Sequence, residues 1–161
     1  MKKYFEKIYK DSASNFYSLV ENNLINNKKM FIVTANPETL MTSQKNENLK
    51  RALLDEQTYI IPDGIGIVKG LKILGYNPKE TITGIDLCIK LFKYCNIHKK
   101  TIFLLGSTES VIKKLINVIN LNYKNIIISG YENGYVEDKQ KVFDRILFLQ
   151  PDVVLVAIRN S

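Results

Sequence analysis

The chain has 161 residues, of which 45% are hydrophobic and 24% charged, a composition typical of a globular protein with one domain. Its formal net charge is +7, which favours an anionic partner such as a nucleotide diphosphate, a lipid phosphate or an acidic membrane surface. Nucleic acid is not favoured, because no arginine-rich strip is interleaved with aromatic residues. No segment approaches the roughly 18 apolar residues of a membrane span, so we expect a cytoplasmic protein.

The hydrophobic pattern predicts helices that alternate with apolar, β-branched strands. In chain order we expect helix 12–26, strand 30–34, helix 37–54, strand 58–61, helices 64–74 and 84–95, strand 101–105, helix 108–121, strand 125–129, helix 137–149 and strand 152–157. Such alternation is typical of parallel βαβ units covered by helices. The fold class is therefore α/β, with a mostly parallel sheet, and a single domain covers residues 1–161.

The two cysteines and the histidine carry no predicted chemistry. Cys88 and Cys95 lie seven residues apart in a helical pattern, about 10 Å along the axis, which is too far for a disulfide. We expect both to be buried thiols of the core. His98 is the single histidine and lies in a polar connection, so the sequence predicts no metal site.

Polar side chains follow the first two predicted strands. Asp63 comes after an apolar run and begins a turn with Gly64 and Gly66, while Thr34 ends the strand before it and Asn36 follows that strand. Ligands of open α/β sheets bind at the carboxyl ends of the strands, so we interpret this group as an active site. Asp63 can act as a general base or accept a hydrogen bond from a sugar hydroxyl, or it can simply cap the helix after it.

Three further turns have the composition of ligand-binding loops. One ends a strand and opens a helix with backbone amides and a hydroxyl suited to a phosphate or ribose. The next carries two aromatic residues that can flank a base, and the third opens a helix after a polar loop. Their candidate substrate-binding residues are Gly106 and Ser107, Gly134 and Tyr135, and Thr83, Gly84 and Asp86.

These motifs occur in an order and at spacings that resemble the WecG/TagA/CpsF glycosyltransferases, from about residue 30 to about residue 157. The resemblance depends on several short motifs that agree over this length, which makes it more specific than any one of them. The motifs are Thr34-Ala35-Asn36-Pro37-Glu38, Pro62-Asp63-Gly64-Ile65-Gly66, Thr83-Gly84-Ile85-Asp86-Leu87, Leu104-Leu105-Gly106 and Gly134-Tyr135.

The resemblance implies a Rossmann-like fold and a metal-independent, inverting transfer from a UDP-sugar without a cofactor. In the TagA branch of the family, N-acetylmannosamine moves from UDP to undecaprenyl-diphosphate N-acetylglucosamine during synthesis of the wall teichoic acid linkage unit. By this likeness Asp63 is the general base, Thr34 and Asn36 are the polar pair beside it, and the turns at Gly106 and Gly134 line the nucleotide. The acceptor is a polyprenyl-diphosphate-linked sugar, which implies peripheral contact with the inner face of the membrane.

The sequence departs from the family in two places. Glu80 is followed by Thr81 where the family commonly has arginine, and Lys79 is the basic residue next to that position. After residue 157 the family continues with a Gly-x-Pro-Lys-Gln-Glu segment and a basic appendage, so we expect a truncated member of the family that exposes apolar surface and self-associates. The alternative to an enzyme is a remnant that binds a UDP-sugar, or partners a full-length enzyme, without transferring the sugar.

Overall fold

The computed structural model describes residues 2–35 and 37–157. Within them the strands pair in parallel and alternate with helices, which confirms the predicted α/β class. The strands form two sheets, one of two strands and one of three. Contacts divide the chain into two compact units, residues 1–90 and 91–161, which are described in turn. That one domain covers residues 1–161 stays a prediction.

The N-terminal unit is built on two parallel strands that end together. Ala35, at the end of the first strand, lies opposite Pro62, at the end of the second. The polar residues that follow or complete these strands therefore lie at one edge of the sheet. The elements are α1 (Lys2–Lys7), α2 (Ala13–Ile25), β1 (Phe31–Ala35), α3 (Pro37–Ser43), α4 (Glu47–Leu54), β2 (Thr58–Pro62), α5 (Ile65–Ile73) and α6 (Gly84–Ile97), which continues past residue 90.

The helix α1 was not predicted from the sequence. It is only six residues long and places Tyr4 and, just after the helix, Ile8 in the core, where they are 4% and 1% exposed. Ile8 forms a parallel bridge with Ile60, and the Tyr9 amide donates to the Ile60 carbonyl at 2.7 Å. The N-terminal segment is therefore fastened along β2, a long-range contact that helical periodicity does not report.

The single helix predicted over 37–54 is wrong, because the chain forms α3 and α4 with a break between them. Asn46 has an extended backbone with φ −127° and ψ 103°, and its side chain accepts from the Leu49 amide at 3.0 Å. Asparagine is a strong N-cap residue, so it begins a new helix here. Residues 42–48 contain neither proline nor glycine, the strongest helix breakers, so the sequence prediction carried one helix across them.

The C-terminal unit contains a three-stranded parallel sheet with the strand order β4-β3-β5. Residues 102–106 of the central strand are buried, as its continuous apolar sequence predicts for a strand covered on both faces. On one face Phe103 and Leu105 pack against Val142 of the helix that leads to the last strand. The elements are β3 (Thr101–Gly106), α7 (Glu109–Asn122), β4 (Ile127–Glu132), α8 (Lys139–Leu149) and β5 (Val153–Ala157).

The prediction of buried thiols is confirmed for Cys95, which is 0% exposed, whereas Cys88 is half-buried. Both cysteines are free. Burial raises the pKa of the Cys95 thiol to about 12, so this side chain stays protonated at neutral pH. It acts as a small apolar residue of the core.

A carboxylate joins the first and last strands of the C-terminal sheet at their N-terminal ends. The Asp152 carboxylate accepts from the Thr101 amide at 2.8 Å, from the Thr101 hydroxyl at 2.9 Å and from Lys100 Nζ at 3.2 Å. Burial opposes ionisation of Asp152, but these hydrogen bonds and the Lys100 charge outweigh it, so the pKa lies below the ordinary 3.8. The ionised carboxylate is therefore stabilised by folding.

This arrangement makes the stability of the chain depend on pH. Asp152→Asn should lower the free energy of unfolding by about 1–2 kcal/mol at pH 7, since hydrogen bonds to a charged group are lost at a partly exposed site. A lowered folded pKa contributes stability above pH 3.8 and loses it as the pH falls through the folded value. The difference from wild type should therefore shrink below about pH 4 in urea unfolding curves. Asp144→Asn, on an exposed carboxylate of α8, is the control and should change neither the free energy of unfolding at pH 7 nor its dependence on pH.

Candidate functional site

Asp63 follows β2 directly, and the structure brings Thr34 of β1 and the start of α6 to it. The Ile82 amide donates to the Pro62 carbonyl at 3.0 Å, which returns the chain to the end of β2. The Gly84 amide, at the start of α6, then donates to Asp63 Oδ2 at 3.4 Å. A Cβ on Gly84 would lie 3.1 Å from Thr34 Cγ2 and 3.7 Å from Asp63 Oδ2, so these three residues are in close contact.

The Asp63 carboxylate is half-buried and does not cap α5. The N-cap of that helix is Gly64, at φ 92°, and no side chain accepts a hydrogen bond there. Within residues 2–35 and 37–157 no lysine or arginine forms an ion pair with Asp63. The carboxylate is thus held by one amide and keeps lone pairs for a proton donor.

Of the two glycines after Asp63, the backbone conformation favours glycine at position 64 but not at position 66. Gly64 has a positive φ, which favours glycine over any residue with a side chain. A Cβ on Gly66 would meet no atom within 4 Å, and the backbone conformation there is ordinary, so nothing in the protein itself requires glycine at this position. Its surroundings are open, and a substrate-binding role for Gly66 stays a prediction.

Thr83 and Asp86, two predicted substrate-binding residues, are bonded to each other at the start of α6. The Thr83 hydroxyl donates to Asp86 Oδ2 at 2.7 Å and accepts from the Asp86 amide at 3.1 Å. The Thr83 carbonyl accepts the Leu87 amide at 3.0 Å, which makes Thr83 the N-cap. Both side chains are therefore already engaged within the protein.

Lys79, the basic residue next to the position where the family has arginine, is also engaged. Its ammonium forms an ion pair with Asp11, and its amide donates to the Lys10 carbonyl at 3.0 Å. The hydrogen bond from Lys79 holds the pKa of Asp11 at about 2. The next residue, Glu80, accepts from the Ala13 amide at 2.7 Å, so this loop is bonded both to the segment before α2 and to the first residue of α2.

In the C-terminal unit, the turn after β3 is held against the end of β5. Gly106 has φ 126°, and a Cβ there would lie 2.2 Å from the Ala157 carbonyl oxygen. Ser107 has φ 58°, and its amide donates to that same carbonyl at 2.9 Å. The Gly134 amide donates to the Ser107 carbonyl at 2.9 Å. Three of the four residues predicted to line a nucleotide, Gly106, Ser107 and Gly134, therefore lie together, because a backbone hydrogen bond joins the turn after β3 to the turn after β4.

A cavity of about 250 Å3 lies beside this turn. Its size is below the roughly 300 Å3 of typical small-molecule pockets, which suits part of a ligand such as a base or a ribose. Tyr135 is 74% exposed at its edge. The second aromatic residue that the sequence placed in this turn is Tyr131. It belongs instead to β4, which ends three residues later than predicted, and its hydroxyl donates to Glu109 at 3.4 Å. The lining residues are Ser107, Thr108, Gly134, Tyr135 and Ala157.

The structure thus groups the predicted site residues within each unit. In the N-terminal unit Thr34, Asp63 and Gly84 are in contact, whereas Asn36 lies outside the described residues. In the C-terminal unit the cavity adds Thr108 and Ala157, which sequence reasoning did not include among the site residues. Thr108 could have been found from the sequence, because it directly follows the Gly106 turn and is the N-cap of α7. Ala157 could not, because it lies beside this turn only through the pairing of β3 with β5.

In the part of the chain that the structure describes, no cluster of three His, Cys, Asp or Glu side chains is placed to hold a metal ion. No helix there has the length and apolar character that crossing a membrane requires. A separate cavity of about 190 Å3 in the N-terminal unit is lined by Lys3, Tyr4, Gln44, Lys50 and Leu54, and Asp63 does not contribute to it.

Parallel strands flanked by helices, with polar residues and glycine turns at the strand ends, define an α/β protein. Comparison with known families is more specific. Residues 7–159 match the family model described as "Glycosyl transferase WecG/TagA/CpsF family". The chain belongs to this family, which confirms the resemblance seen in the sequence.

Three relatives show how much of a full-length member this chain represents. The relative from Bacillus spizizenii is 36% identical over 146 residues, the one from Bacillus subtilis 34% over 148, and the one from Staphylococcus aureus 30% over 147. Each is named N-acetylglucosaminyldiphosphoundecaprenol N-acetyl-beta-D-mannosaminyltransferase. The alignments cover 90–91% of this chain but only 56–57% of the relatives. The chain therefore spans little more than half their length.

Proposed function

We propose that the chain is the core of an inverting, metal-independent glycosyltransferase that moves N-acetylmannosamine, or a related sugar, from a UDP-sugar to an undecaprenyl-diphosphate-linked sugar. The product class is a precursor of teichoic acid or another surface polysaccharide. The observation that carries the proposal is the Asp63 carboxylate, which follows β2 beside Thr34 and has no ion-pair partner among the described residues. The relatives' printed name supplies the acceptor and the sugar.

In the proposed reaction Asp63 removes the proton from a hydroxyl of the acceptor sugar. The oxygen of that hydroxyl attacks the anomeric carbon of the donor, and the bond from that carbon to the UDP oxygen breaks. UDP leaves with the electron pair of the broken bond, and attack from the opposite face inverts the anomeric configuration. An unpaired carboxylate suits this role, since an ion pair would compete with the proton for its lone pairs.

The cavity in the C-terminal unit supports a nucleotide-binding role. Ser107 and Thr108 supply hydroxyls, α7 begins directly after them, and Tyr135 presents an exposed ring. Amides and hydroxyls at a helix start suit a phosphate or ribose, and an aromatic ring can stack on a base. Gly134 at the cavity lets its amide reach the Ser107 carbonyl. We propose that these residues bind the UDP part of the donor.

The partners of the protein follow from the same proposal. A polyprenyl-linked acceptor resides in a membrane, so a protein of net charge +7 is expected to contact the acidic inner face peripherally.

Self-association through β5 is also proposed, because this strand is at the edge of its sheet and its Val154 and Val156 are 37% and 58% exposed. Val156→Lys should convert dimers to monomers in analytical ultracentrifugation, and a wild-type monomer would contradict the proposal.

Calorimetric titration with UDP and UDP-N-acetylmannosamine, without metal, tests the function. Metal-free binding followed by sugar transfer to a soluble polyprenyl-diphosphate analogue would support the enzyme. Binding without transfer would favour the second candidate, a protein that retains the nucleotide site but does not transfer the sugar. Failure of a folded chain to bind either ligand would contradict both.

Gly66 provides a test of the donor side with a matched control. Gly66→Ala and Gly70→Ala both replace a glycine of α5 whose Cβ would meet open space, so each should raise the free energy of unfolding by about 0.5–1 kcal/mol. Only Gly66→Ala should also weaken binding of the UDP-sugar, because Gly66 lies in the first turn after Asp63. Equal affinities for the two variants would remove Gly66 from the binding site.

A further inference from the structure

The start of α6 is fixed by one pair of side chains. The Thr83 hydroxyl gives its single proton to Asp86 Oδ2 at 2.7 Å and receives the Asp86 amide at 3.1 Å. The arrangement is a variant of the capping box, because the side chain of the third helical residue accepts from the hydroxyl of the N-cap residue and not from its backbone amide. With its proton already donated, Thr83 is poorly suited to bind a substrate oxygen.

Gly84 lies between these two residues, and its amide points out of the helix toward Asp63. As one of the first N–H groups of α6, this amide has no acceptor within the helix. It donates instead to Asp63 Oδ2 at 3.4 Å. The contact has no spare room, since a Cβ on Gly84 would be 3.1 Å from Thr34 Cγ2.

We propose that Thr83 and Asp86 are positioning residues for Asp63, which they orient through the Gly84 amide. This inference rests on the proposed function, in which Asp63 is the general base. With Oδ2 held by Gly84, the other carboxylate oxygen is directed to the acceptor hydroxyl. The role replaces the substrate-binding role that the sequence suggested for Thr83 and Asp86.

The direct test observes the Gly84 amide by NMR in the 15N-labelled chain. Asp63→Ala gives the reference for an amide without its acceptor. Thr83→Val removes the hydroxyl at nearly constant shape, and we expect an upfield shift of the Gly84 amide proton toward the Asp63→Ala value and at least tenfold faster hydrogen exchange. Thr83→Ser keeps the hydroxyl and should restore both values.

A matched control separates positioning from loss of a helix cap. Ser12 caps α2 in the same unit by accepting from the Asn15 amide at 3.2 Å, so Ser12→Ala should cost comparable stability and leave Gly84 unchanged. An unshifted Gly84 amide in Thr83→Val, or a Thr83→Ser variant that behaves like it, would overturn the proposal. If Thr83→Val does not fold, Asp86→Ala removes the same pair from the other side and gives the same two readings.

Kinetics then connect the positioning to the reaction. In the active chain Thr83→Val should lower kcat at least tenfold with the KM for the UDP-sugar unchanged, and Thr83→Ser should recover kcat. A raised KM with unchanged kcat would make Thr83 a substrate ligand and overturn the proposal. Full transfer by Asp63→Asn would refute the proposed function alone. If the wild-type chain transfers no sugar, the chemical shift and the hydrogen exchange of the Gly84 amide decide whether Thr83 and Asp86 position Asp63.

Discussion

Asp63→Asn should reduce the rate of sugar transfer by about 100- to 10,000-fold, the usual contribution of a general base. Asparagine nearly matches aspartate in shape, and its side-chain oxygen can still accept from the Gly84 amide, so the local structure should persist. It cannot take a proton from the acceptor hydroxyl. The loss should therefore appear in kcat, while calorimetry should give an affinity for UDP close to that of the wild type.

The control for this change is another carboxylate of the N-terminal unit. Glu56 is exposed in the turn between α4 and β2, and Glu56→Gln alters the net charge by the same amount as Asp63→Asn. Its kcat and its affinity for UDP should equal those of the wild type. Transfer by Asp63→Asn at more than a tenth of the wild-type rate would exclude Asp63 as the base.

The strands and most helices were predictable because their signals are local. The apolar run over residues 101–105 predicted a strand buried on both faces, and β3 is the central strand of its sheet. Asp63 was predictable for a related reason, since a carboxylate that follows an apolar run and precedes a glycine turn marks a strand end. The structure places it directly after β2.

The contacts that the sequence did not predict are long-range. Nothing within residues 83–86 indicates that the Gly84 amide meets Asp63, because this depends on the Ile82 amide pairing with the Pro62 carbonyl twenty residues earlier. The reason for glycine at position 106 is equally hidden, since it is the backbone of Ala157. Periodicity and turn composition report on neighbours in sequence, whereas these contacts are set by which strands lie side by side.

Gly106→Ala should destabilise the chain more than Gly66→Ala or Gly134→Ala. The φ of 126° costs a residue with a side chain about 1–3 kcal/mol. The new Cβ would also lie 2.2 Å from the oxygen and 2.4 Å from the carbon of the Ala157 carbonyl, and relieving such overpacking costs about 1–3 kcal/mol. Together we expect a loss of about 2–6 kcal/mol in the free energy of unfolding.

A graded series tests this physical cause by urea unfolding. Gly66→Ala, which meets open space, should stabilise the chain, and Gly134→Ala, whose Cβ would lie 3.1 Å from the Ser107 amide nitrogen, should destabilise it mildly. Adding Ala157→Gly to Gly106→Ala should recover nothing, because the clash is with backbone atoms. Recovery in that double variant would contradict the assignment. Because the displaced carbonyl also holds the Ser107 amide, any Gly106→Ala protein that folds should bind UDP more weakly as well.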